Sequence, residues 1–179
     1  LSYWETMPFW TTFFRSLGYQ VQISDKSTRK IYESGLSAVT SDTVCFPAKL
    51  VHGHIRNLAE HHVDRIFMPT ITTVSSENTA STSESMCAIV KGYPIVIRNS
   101  DNPEKRFHIP FDAPLFHWYR TEDRNRQLAA YMKDTFDISP DITKKAIEAA
   151  DQAQTSFERQ LKDVGEKVMQ QVRSEGRYA

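Results

Sequence analysis

In the stretch Ser41-Asp42-Thr43-Val44-Cys45-Phe46-Pro47-Ala48-Lys49-Leu50-Val51-His52-Gly53-His54-Ile55, one thiol stands two residues ahead of a proline, and a lysine and two histidines follow it. Proline is tolerated in the first turn of a helix and disfavoured inside one, so the spacing predicts a helix from Pro47 to about His61, with Cys45 at or just before its start. At such a place the unpaired backbone N–H groups and the helix dipole favour a thiolate, and Lys49 one turn on adds positive charge. The chemistry open to that thiolate is nucleophilic attack or metal ligation. At about 100° per residue, Leu50, Val51, His54, Ile55 and Leu58 share one side of the helix, while Lys49, His52 and Arg56 share the other, below Cys45. The same pattern admits a plainer reading, in which Cys45 is a small buried apolar residue and Lys49, His52 and Arg56 form a solvated face. His54, on the apolar side, reads as a hydrogen-bonded core residue. The second thiol, Cys87, opens the apolar run Cys87-Ala88-Ile89-Val90, which reads as a strand; in a doubly wound sheet this places it either in a crevice at a sheet end, facing the loop that carries Cys45, or, equally well from spacing alone, as a buried strand-end cysteine.

Other chemistries lack their residues. Zinc sites draw on paired Cys-x2-Cys or His-x3-5-His spacings; here His52 and His54 point to different helix faces and His61 and His62 are adjacent. There is no Gly-x-Gly-x-x-Gly, no Gly-x4-Gly-Lys-Ser/Thr and no Gly-x-Ser-x-Gly, so nucleotide binding and serine hydrolysis have no support. Basic and acidic residues both total 22, so no net field draws the chain to nucleic acid or an anionic membrane. No apolar run approaches the roughly 18 to 20 residues of a membrane helix. Two cysteines make no disulfide framework, and with no signal peptide at the start the sequence reads as a soluble, cytoplasmic protein.

The elements that must position the thiols follow from periodicity and punctuation. Phe9, Trp10, Phe13, Phe14 and Leu17 have helical spacing, with Pro8 in the first turn and Gly18 past the end. Tyr19-Gln20-Val21-Gln22-Ile23 alternates as a half-buried strand, a short helix spans about Ser27 to Ser34, and Val63 to Met68 reads as a buried strand ending at Pro69. Residues 72–86 hold nine Ser or Thr and read as a flexible loop. Tyr93 to Asn99 fits either a short helix or more strand. Thr121 caps a helix with Leu128, Tyr131, Met132 and Phe136, and Ser139-Pro140-Asp141 starts a long one whose apolar residues run from Ile142 to Val172. The alternation predicts an α/β fold: a Rossmann-like, doubly wound, mainly parallel sheet over residues 1–110, and a C-terminal pair of helices in 111–179 packing on it.

Pro8-Phe9-Trp10 with Phe13-Phe14 and Leu17-Gly18, the Ser41 to Ile55 stretch, and Asp64-Arg65-Ile66-Phe67-Met68-Pro69 together resemble the uncharacterised domain of large CoA-substrate-specific enzyme activases. Those proteins join ATPase modules, similar to the 2-hydroxyglutaryl-CoA dehydratase activator, to a region like the cysteine-bearing dehydratase or double-cubane-cluster component. The resemblance implies low-potential electron transfer coupled to ATP hydrolysis in anaerobic metabolism, with a dehydratase or reductase as partner. It implies that Cys45 and Cys87 match ligands of a [4Fe–4S]-type cluster, with Lys49 and His52 around them. Where relatives of this kind often place a cysteine after the strand, this sequence has Thr70, which leaves two thiolates for a group that takes about four. It also makes the chain, which starts at Leu1, a piece of a larger multidomain protein that is inactive in isolation and holds no cluster after purification in air.

Overall fold

The computed structural model describes residues 3–74, 85–118 and 120–176, with the backbone alone for Tyr3 and Trp4. Two compact units emerge. One is Gln22–Ile138; the other joins Tyr3–Val21 to the segment that starts at Ser139.

The second unit is built on two helices. Helix α1 (Tyr3–Ser16) starts earlier than expected, so that Pro8 lies inside it and not in its first turn, and Gly18, at φ +88°, lets the chain leave in the left-handed conformation that glycine tolerates. Its Thr6, Phe9, Trp10 and Phe13 are buried, the rings of Phe9 and Trp10 meeting edge to face at 5.2 Å. Helix α7 (Pro140–Ser174) starts where Ser139, Pro140 and Asp141 predict; the Ser139 hydroxyl accepts from Ile142 N at 3.4 Å. It packs on α1 through buried Thr143, Ala146, Ile147 and Ala150, and Gln154 ties the two together, accepting from Phe9 N and donating to the Glu5 carbonyl.

In the first unit, α2 (Arg29–Gly35) is capped by Thr28 and runs into a 3-10 turn, Leu36–Ala38, so Gly35 does not stop it. Helix α3 (Phe46–Glu60) lies against α2 at glycine-on-glycine range. A Cβ on Gly53 would meet the Ile31 carbonyl oxygen at 1.9 Å, and one on Gly35 would meet Gly53 N at 2.3 Å. Four two-residue strands follow the helices in parallel pairs: β1 (Ile66–Phe67) with β3 (Phe111–Asp112), and β2 (Thr70–Ile71) with β4 (Leu115–Phe116). Between them lie α4 (Ala88–Ser100) and α5 (Pro103–Phe107), and after them α6 (Thr121–Phe136). The core of this unit gathers Ala48 and Ile55 of α3, Tyr93 and Ile97 of α4, Ile66, Ile109 and Phe111.

The doubly wound Rossmann-like sheet is therefore not the fold. The described residues form a mostly helical chain with two short parallel ladders, and α6 and α7 fall in different units instead of forming a C-terminal pair. Proline explains how short the ladders are. Ile66, Met68 and Thr70 donate across to the carbonyls of Pro110, Asp112 and Pro114, but Pro114 has no N–H to return a bond and Pro69 interrupts the first segment. Tyr19–Ile23 alternates without pairing with any strand among the described residues, and Cys87 to Val90 is the N-cap and first turn of α4, an apolar run too short for periodicity to separate strand from helix. Tyr93 to Asn99 continues α4, with Pro94 inside it. Of the loop expected over 72–86, residues 75–84 lie outside the described residues; at its base Thr73 and Ser85 form an antiparallel bridge.

Two glycine substitutions test this account with opposite signs. Gly53→Ala must push a backbone carbonyl aside and should destabilise by about 3 kcal/mol or more, read as a lower urea midpoint. Gly165→Ala, with open space around it on α7, should stabilise by roughly 0.5–1 kcal/mol.

Candidate functional site

Both thiols stand at the same kind of place. Cys45 is the N-cap of α3, at φ −60° and ψ 149°, and its carbonyl accepts from Ala48 N and Lys49 N at 3.0 and 3.3 Å. Cys87 is the N-cap of α4, at φ −51° and ψ 140°, and its carbonyl accepts from Lys91 N at 3.0 Å. Neither side chain makes a capping bond, and both thiols are free and exposed. Lys49 turns back on the preceding loop, donating to the Asp42 carbonyl at 2.7 Å. Phe46, 56% exposed, lies beside Cys45 in sequence and against the Tyr32 ring at 4.9 Å.

Two turns into α3, the side expected to face solvent below Cys45 is instead closed by a charged cluster. His52 is 0% exposed. Its Nδ1 lies 2.7 Å from Asp101 Oδ2, and its Nε2 lies 3.0 Å from the Tyr93 hydroxyl. Since a carboxylate only accepts, Nδ1–H donates to Asp101, and in the neutral ring Nε2 accepts from the Tyr93 O–H. Arg56 Nη1 donates to Asp101 Oδ2 at 3.1 Å and to the His52 carbonyl at 3.0 Å. Arg106 Nε stands 3.0 Å from Oδ1 as an ion pair, without the alignment of a hydrogen bond. The sequence placed His52 on a polar helix face because its partners lie far along the chain: Tyr93 is in α4, Asp101 caps that helix, and Arg106 is in α5. The signal available was His52 and Arg56 at i and i+4, two donors on one helix face that require a carboxylate if that face is covered.

Burial by itself would raise the Asp101 carboxyl, but the His52 hydrogen bond and the Arg56 and Arg106 charges outweigh it and hold the group below the usual carboxylate range. Tyr93 is pushed up, first by burial and then by the nearby Cys45 and Asp101, so its phenol keeps its proton at neutral pH. The order carboxylate, imidazole, hydroxyl is that of a nucleophilic triad. Here Asp101, His52 and Tyr93 are at most 3% exposed, so no substrate reaches the hydroxyl and the arrangement locks α3, α4 and α5 together.

His54 is half-buried, with Nε2 3.0 Å from Ser27 Oγ, and burial lowers its pKa. Its buried Nδ1 has no partner among the described residues. The tautomer that leaves a lone pair there, with Nε2–H donating to Ser27, costs less than a buried unpaired N–H and makes His54 a poor base toward that serine. Among the described residues no group of three or more His, Cys, Asp or Glu could hold a metal ion, and no helix is long and apolar enough to cross a membrane. Thr70, in β2, is 4% exposed. With two cysteines in 179 residues, the chain alone does not fit a four-thiolate cluster.

Asp101→Asn should destabilise the chain by about 3 kcal/mol, because the largely buried Arg56 guanidinium loses its counter-charge and buried His52 its charged acceptor. A folded pKa below the unfolded one means stability that is complete above the ordinary carboxylate value, about 4, and is lost as pH falls through the lowered folded value. Urea midpoints measured on the acid side should therefore fall more steeply for wild type than for Asp101→Asn. At the surface, a chromogenic disulfide reagent should label two thiols per native chain without denaturant; labelling that waits for unfolding would contradict the exposure of Cys45 and Cys87.

No curated protein matches the chain, and no solved structure matches it. The sequence pattern of the CoA enzyme activase uncharacterised domain does match, over residues 1–179. With the match spanning the thiol-bearing helix starts and the cluster beneath them, the chain belongs to that family of CoA enzyme activase domains.

Proposed function

We propose that this chain is a module of a CoA-substrate-specific enzyme activase that serves ATP-coupled, low-potential electron transfer, and that it lends Cys45 and Cys87 to an iron–sulfur site whose other ligands come from outside these residues. The observation that carries the reading is the pair of exposed thiols, each at the N-terminus of a helix of the same core, α3 and α4. Helix starts favour anions, and thiolates bearing iron are anions. Family membership supports the activase setting. Thr70, buried in β2, is the reason for asking for ligands from elsewhere. ATP hydrolysis belongs to ATPase modules of the same parent protein, and a dehydratase or reductase receives the electrons. The isolated chain has no activity of its own.

The second reading is a cluster-free module that docks neighbouring domains. Its support is α7, whose Leu161, Val164, Val168 and Met169 are 44–59% exposed along one stripe.

Iron and sulfide analysis with a visible spectrum, on the full-length activase purified without oxygen, separates the two. The first reading expects an iron–sulfur band that Cys45→Ser and Cys87→Ser each diminish. Under the second, both variants keep the wild-type iron content. For the isolated chain, purification in air should give a folded protein whose thermal unfolding does not change with chelator, because its core is apolar and needs no metal to form. A reconstituted isolated chain that holds about four irons and loses them on Cys45→Ser would overturn the need for outside ligands.

A further inference from the structure

We draw no further inference here: the strongest candidate, the exposed apolar stripe of Leu161, Val164, Val168 and Met169 on the distal half of α7, carries nothing beyond the docking reading above because nothing in the structure shows what covers it.

Discussion

The Gln22–Ile138 unit depends on one buried carboxylate. Asp101 ends α4, and from that position it holds the His52 imidazole of α3 on one oxygen, shares that oxygen with Arg56, and faces Arg106 of α5 with the other. A lone carboxylate in such a place would be costly to ionise; two guanidiniums and an imidazole N–H make the anion the favoured form. The apolar core around Ala48, Ile55, Tyr93 and Ile97 supplies the larger share of the attraction between α3 and α4, but it is non-directional. The charged cluster fixes the rotation of α3, because His52 reaches both Asp101 and Tyr93 in only one setting.

That setting matters for the thiol end of the helix. Cys45 and His52 are seven residues apart, two turns, and so lie on the same side of α3. Tyr93 belongs to the core cluster against which Val44, next to Cys45, packs. About 100° around the helix from His52, the Gly35 and Gly53 contact brings α2 up to α3 with no room for a methyl group. The helix that presents Cys45 is held by a charge cluster on one flank and a backbone contact on another. At its N-terminus, Phe46 and the Cys45 thiol are left to solvent.

The helices with punctuation at their ends were legible in the sequence. Pro47 marked α3, Ser139-Pro140-Asp141 marked α7, and the aromatic spacing of Phe9 to Phe14 marked α1. Of the strands, β1 falls inside the Val63 to Met68 run that reads as one, while β2, β3 and β4 were not legible, because two-residue strands beside Pro69, Pro110 and Pro114 leave no alternating run to read, and the alternation at Tyr19–Ile23 pairs with no strand among the described residues. Taking Cys87 to Val90 for a strand turned an ordinary helix order into a false βαβ pattern and hence a false sheet. The cysteines could be singled out by residue type. The burial of His52 could not, since it is decided by a carboxylate 49 residues away in sequence.

Differential alkylation of Cys45 and Cys87 in the full-length, anaerobically purified activase tests the central claim most directly, by mass spectrometry before and after iron is removed by a chelator. The account predicts that both thiols are protected together while iron is bound and become reactive together when it leaves. If both alkylate at the same rate with and without iron, they are not ligands, and this module works without a cluster.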